Sequence, residues 1–234
     1  MKFLEACVLA FTLLISGSAV AGGGRVERYE GVAQTPSGEF LYRERHEVTE
    51  TDGVPQKALT IYFDRAGKEI ARLSSDFSRS PYAPTYRFTD ERTGAQESAT
   101  VTASSLKLVY RGDQKTLAVP GDAPLVVGQG LHHFARLNLE RLARGPLTVA
   151  FALPSRLDTY AFRIRPLASP APGVVRLRIE INNWLLRQLA PHVEVDYDLK
   201  SRRLLEYRGV SNLEAPDGSP QKVVIRYRYP EAAS

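Results

Sequence analysis

The chain has 234 residues, a formal net charge of +5, 43% hydrophobic residues and one cysteine. That length suffices for one large domain or two small ones, and the single cysteine excludes a disulfide framework or a thiolate metal site. Its 31 Lys and Arg are scattered over many segments rather than clustered. With the export signal described next, that makes nucleic acid a poor partner and leaves anionic lipid or polysaccharide open.

The first element reads as a secretory signal peptide. Met1 and Lys2 give a basic start, residues 6–16 ("ACVLAFTLLIS") form an apolar run, and Gly17-Ser18 break it before "AVA" at residues 19–21. The run is too short to span a bilayer as a permanent helix, and the small residues place cleavage between Ala21 and Gly22. Cys7 stands at the start of the apolar run, whereas a lipid-attachment cysteine needs that run before it, so it is no lipid-attachment cysteine. The chain predicted from residue 22 onward therefore lacks cysteine altogether. An exported protein without disulfides points to the periplasm, with secretion as the alternative and no lipid anchor.

From residue 39 on, period-two alternation dominates. Strands are predicted at 39–50, 57–64, 69–77, 85–90, 96–103, 105–111, 147–153, 158–167, 174–182, 192–199, 203–214 and 222–229. Gly, Asp and Pro in "TDGVPQ", "RAGK", "ERTG", "RGDQ" and "APDGSP" supply the reversals. In "VVRLRIEIN", Val175, Leu177, Ile179 and Ile181 share one face, and Arg176, Arg178 and Glu180 the other. "HVEVDYDL" and "KVVIRYRY" repeat the pattern. Such alternation means antiparallel strands with one face buried and one in water. The fold class expected is mainly β: a single domain over residues 22–234, built as a strongly curved antiparallel sheet or incomplete barrel.

Two helical segments interrupt the strands. The first, at about 129–144, contains "GLHHFARLNLERLARGP" and is stopped by Gly145-Pro146. On a helical wheel Leu131, Phe134, Ala135, Leu139 and Leu142 gather on one side, with His133, Arg136, Glu140 and Arg144 opposite and His132 at the flank. Adjacent histidines diverge, whereas a helical metal pair needs ligands three or four apart. The pair is thus expected on a solvated helix face, with no metal site and no cofactor. The second segment, "NNWLLRQLAP" at 182–191, carries Trp184, Leu185 and Leu189 between two strands. It reads as a lid over the open end of the sheet, or as a tip that meets a membrane or partner.

The remaining constellations have plain structural readings. Glu194, Asp196 and Asp198 put carboxylates ~6–7 Å apart on one strand face. A hairpin with strand 174–182 sets Arg178 opposite Asp196 and Arg176 opposite Asp198, leaving Glu180 against Glu194 for Arg208 to relieve. Ser155 and Asp158 lack a strained nucleophile turn, so His46 or His192 has no evident triad to complete. "GQG" at 128–130 is a helix start, not a dinucleotide loop. No catalytic residue emerges, and the chain is expected not to be an enzyme.

Three strings, "SGEFLYRERHE", "FARLNLERLARGPLTVAFALPSRLDTYAFRI" and "YDLKSRRLLEYRGVSNLEAPDGSPQKVVIRY", resemble a family of uncharacterised exported bacterial proteins across nearly the whole length after the leader. At fold level the pattern is also similar to the periplasmic lipoprotein carriers of the outer-membrane sorting system (LolA-like), whose curved sheets are covered by helix. The function expected is a non-enzymatic periplasmic protein that binds a hydrophobic or lipid-like ligand in the concave face, because the inner face offers more apolar surface than one helix covers. Leu59, Ile61, Phe63, Leu108, Tyr110, Phe151, Tyr160 and Phe162 are the residues expected to face it. The alternative is an envelope structural or assembly factor that binds a protein partner or membrane surface through the Trp184 segment.

Overall fold

The computed structural model describes residues 24–185, 187 and 191–230. The expected leader, its Ala21–Gly22 cleavage point and Leu189 lie outside them. The first meander comprises β1 (Gly24–Gln34), β2 (Phe40–Thr51), β3 (Val54–Phe63), β4 (Glu69–Asp76), β5 (Thr85–Asp90), β6 (Ala95–Val101), β7 (Ser105–Tyr110) and β8 (Asp113–Ala118). There follow β9 (Leu125–Val127), α1 (Gly130–Leu137) and α2 (Leu139–Arg144). A second meander has β10 (Leu147–Leu153), β11 (Asp158–Pro166), β12 (Val174–Ile181), β13 (Val193–Asp198), β14 (Leu204–Val210) and β15 (Lys222–Arg228). One unclosed, curved sheet takes all fifteen, in the order 8-7-6-5-4-3-2-1-15-14-13-12-11-10-9.

The first and last strands meet in the middle, where β1 pairs antiparallel with β15, and β8 and β9 are the edges. Every neighbouring pair is antiparallel except β9 with β10, which run parallel after the helical crossover. Hairpin chemistry explains the local reversals. At the β2–β3 turn Asp52 and Gly53 both take left-handed backbone, φ 52° and 75°, as a two-residue turn matched to strand twist requires. The eleven-residue β1 and the short β8 and β9 were not predicted; β8 is almost wholly exposed and β9 is only three residues long, so neither shows a period.

Two large cores, and a small third one of Tyr29, Val48, Ala58 and Phe77, are buried among the described residues. One joins Tyr42, Tyr62, Leu73, Tyr86, Phe88, Leu106 and Leu108 with Val223 and Ile225. The other seats Phe134, Ala135, Leu139 and Leu142 of the helices on Val149, Ile164, Leu177, Ile179 and Val195. A fully buried leucine such as Leu139 or Leu142 contributes about 1.5–3 kcal/mol. Strand β9 is buried on both faces, with Val126 in the second core and Leu125 and Val127 in the first.

Four expectations need correction. Leu59, Ile61 and Phe63 do not face the concavity: the inner, buried residues of β3 are Ala58, Thr60 and Tyr62. Phe63 is instead covered from outside by the guanidinium groups of Arg43 and Arg45, 5.8 and 5.0 Å from its ring centre. The predicted single helix is two, because Asn138 leaves helical geometry (φ −111°, ψ 15°) while its side-chain amide donates to the Phe134 carbonyl at 2.9 Å.

Third, the histidine face of α1 is not solvated. The sheet curls round the helix, so that face lies against β1–β4 while the apolar face lies on β10–β13; His133 is 2% exposed. Fourth, β12 and β13 pair two residues away from the expected register. Arg176 stands opposite Asp196, and Arg178 opposite Glu194. A two-residue slide leaves every side chain on its original face, so alternation cannot detect it.

Candidate functional site

The inner face of β2 is unusually polar. Tyr42, Glu44, His46, Val48 and Glu50 all point inward and are buried. His46 Nδ1 lies 2.9 Å from Thr60 Oγ1 on β3, and its Nε2 lies 2.9 Å from Glu44 Oε2. Gln129, just before α1, donates from Nε2 to Thr60 Oγ1 at 2.7 Å and accepts from Ser75 Oγ on β4 at 2.8 Å. The pattern assigns the protons: Thr60 donates to His46 Nδ1, and the Nε2–H of His46 donates to Glu44. Tyr227 also donates to Glu44, at 3.3 Å, and Tyr29 stacks on the His46 ring with centroids 4.4 Å apart.

Hydroxyl, imidazole and carboxylate thus stand in the order a nucleophile, base and orienter would. Sequence reasoning missed this grouping, because "LYRERHEVTE" carries charge on both faces and shows no apolar side. Thr60, however, is 0% exposed and already accepts from Gln129. A reacting carbonyl has no space beside it. What the network does is tie the start of α1 to β3 and β4.

The rest of α1 continues the polar seam. His132 Nδ1 is 2.9 Å from the Tyr197 hydroxyl on β13. His133 packs edge-on to Phe77 at 4.8 Å, and its Nδ1 has no partner among the described residues. Burial, aided by the neighbouring Arg136 charge, pushes the His133 imidazole down to about 3. Burial together with His133 and Arg136 likewise lowers His132 well below its ordinary value. Arg136 reaches Glu50, and Glu27 at 3.4 Å. Among the described residues no group of three or more His, Cys, Asp or Glu is placed to hold a metal ion.

The residues expected to line a ligand divide. Leu108 is in the first core at 0% exposure. Tyr110 is half-buried and bonds Glu214 at 3.2 Å. Phe151 and Phe162 pack edge-to-face, 5.4 Å apart, beside the second core, and Tyr160 lies opposite Phe151 in the ladder. They form no common pocket with Leu59, Ile61 and Phe63, which lie on the other face. Asp158 bonds the Thr159 amide at 2.9 Å and Lys115 at 3.4 Å, roles of a turn residue.

A second site lies outside, at one end of β11–β13. Arg165, Arg178, Glu180, Trp184, Arg187 and His192 line a depression of about 390 Å³. Trp184 is 72% exposed and Leu185 56%, so neither plugs the sheet. Asn183 starts this turn, accepting from the Leu185 amide at 3.0 Å. Across the adjoining face, Arg163, Arg165, Arg176, Arg178, Arg187, Arg208 and Arg226 meet Glu180, Glu194, Asp196 and Glu206. That leaves a surplus of three positive charges.

The like-charge clash expected at Glu180 is absent. Glu180 accepts from Arg163 at 2.5 Å and Arg165 at 3.1 Å, while Glu194 takes Arg178. Burial alone raises the Glu180 carboxyl, but the two arginines outweigh it and hold it below the ordinary carboxylate range. Asp196 behaves likewise: Arg176 (2.7 and 2.8 Å) and Arg208 (3.1 Å) overcome its burial. The sequence showed Trp184 and the arginines separately; only the sheet places strand 11 beside strand 12 and unites them. No protein-family model matches this chain, and no curated protein sequence matches it.

Proposed function

We propose that the protein is a non-enzymatic, exported envelope protein that docks on an anionic membrane surface through the Trp184 turn and the arginine-rich outer face of β11–β14. The observation that carries this reading is the exposure of Trp184 and Leu185 beside a depression lined by Arg165, Arg178 and Arg187. An indole with an aliphatic neighbour suits the boundary between headgroups and acyl chains, and each nearby cation adds roughly 1 kcal/mol against an anionic leaflet. The periplasmic destination is the one the leader-like residues 1–21 suggest. A hydrophobic ligand in the concavity is less well supported, because α1 and α2 occupy that space and would have to leave it.

Vesicle co-sedimentation tests the reading. Binding is expected to phosphatidylglycerol-containing vesicles, to weaken as salt rises, and to fall at least tenfold in Trp184→Asp. Equal binding to purely neutral vesicles, or none to either, defeats it. So does a Trp184→Asp protein that folds and binds like the parent. Recovery of one envelope protein in its place, lost on the same substitution, would transfer the role to a protein partner.

A further inference from the structure

We infer that the outer face of β2–β6 is a separate binding site for an acidic glycan. This surface holds a depression of about 720 Å³, within the range of small-ligand clefts. It lies on the opposite side of the sheet from the polar network, and its lining residues include none of those around Trp184.

The strand registers set its plan. One row runs Glu47, Leu59, Ser74, Arg87, Ser98 across five strands; the next runs Thr49, Lys57, Asp76, Thr85, with Thr100 beside it. Small hydroxylated side chains make the floor, which is why a hollow exists there. The hydroxyls of Thr49, Ser74, Ser98 and Thr100 bond to no other group among the described residues, so they remain open to a ligand. Leu59 is the one aliphatic side chain that projects into the trough, and a sugar ring presents a C–H face of matching size.

Charge identifies the class of glycan. Arg87 has no ion-pair partner among the described residues, and Lys57 stands opposite Asp76, whose carboxyl its charge helps to lower, without closing a salt bridge; the two cations are two strands and two residues apart, roughly 12 Å. With Arg28 beside Glu47, three cations face the two carboxylates of the trough, a balance of one positive charge. Glu47 pairs with Arg28 at 2.9 Å, and Asp76 accepts from the Ser78 amide at 2.9 Å, a bond that lowers its carboxyl. Their remaining lone pairs suit sugar hydroxyls. The Arg87 fork and Lys57 then suit anionic groups spaced along a polyhydroxylated chain.

Other ligands fit less well. Lipid tails meet only one apolar side chain. An extended peptide has no edge to join, because every strand from β2 to β6 is paired on both sides. Nucleic acid lacks a stacking platform, the one aromatic in the lining, Tyr86, being 5% exposed.

Titration calorimetry of the purified protein with oligogalacturonate, a phosphorylated mannooligosaccharide and neutral cellohexaose tests the site. Saturable binding is expected for an acidic chain and at least tenfold weaker binding for cellohexaose; which acidic chain binds distinguishes carboxylate from phosphate. The double variant Lys57→Ala/Arg87→Ala, whose side chains are exposed, should keep its thermal midpoint and lose at least tenfold in affinity. Ser74→Met, which fills the floor without changing charge, should also weaken binding. Trp184→Asp should leave glycan affinity unchanged, so failure here is separable from failure of membrane docking. No binding of either acidic chain at millimolar concentration overturns the inference, as does binding that survives both trough variants.

Discussion

His133 is held neutral against Phe77 with no hydrogen-bond partner on Nδ1 among the described residues, and its protonation equilibrium is therefore linked to folding. The unfolded chain takes up the proton near pH 6.5; the folded protein resists until about pH 3. Protons then favour the unfolded state throughout that window, and stability is lost as pH falls through it. At pH 4.5 His133 alone accounts for roughly 2–3 kcal/mol, and His132 acts in the same direction. The thermal midpoint should drop between pH 7 and pH 4.5, and His133→Leu should flatten part of that drop while leaving the neutral-pH midpoint little changed. Identical acid limbs in both proteins would mean the ring is not held neutral. Gly130 is a second residue whose identity is dictated by a close tertiary approach. A Cβ there would lie 1.8 Å from the Tyr82 carbonyl oxygen, a backbone atom. Gly130→Ala should lower stability in urea by about 1–3 kcal/mol.

Helix α1 shows how an element's role departs from its pattern. Its apolar stripe was legible together with that of α2: Phe134 and Ala135 of α1 and Leu139 and Leu142 of α2 are buried as the wheel implies. The polar stripe misleads, since polarity marks a solvated face only when nothing polar stands opposite. Here Glu27 and Glu50 do, and they take Arg136 out of water. Arg136→Met should cost about 3–5 kcal/mol by stranding Glu50, and adding Glu50→Gln should restore much of the loss. Chemical denaturation of the two variants measures this; a single variant no less stable than the parent would show the pair to be idle. For β12 and β13 the faces were legible and the register was not. Period two is blind to a two-residue slide, and the choice falls to ion pairs: the observed register gives Asp196 two hydrogen bonds from Arg176 and frees Glu180 for strand 11.

At the scale of the molecule, the order of strands makes β15 a central strand rather than a trailing edge. It joins β1 on one side and β14 on the other, so it links the two meanders. Ending the chain after Gln221 should abolish the cooperative thermal transition seen by circular dichroism. Deletion of the exposed edge strand β8 should preserve it. Equal outcomes would contradict the pairing of β15 with β1.

Local chemistry alone determined the β-rich class, the position of most strands and turns, the charged outer faces of β12 and β13, and the apolar stripe of the helix. Each of these depends on side-chain period or on backbone preferences within a few residues. Tertiary structure decided which face of β3 is inside, that α1 is buried on both sides, that Glu44, His46 and Thr60 meet, and that Trp184 stands among arginines from other strands. Alternation separates two faces without naming the inner one. That assignment comes from what distant strands place opposite, and here Gln129 meets the hydroxyls of Thr60 and Ser75 and Arg136 meets Glu27 and Glu50, where the apolar count of Leu59, Ile61 and Phe63 suggested oil.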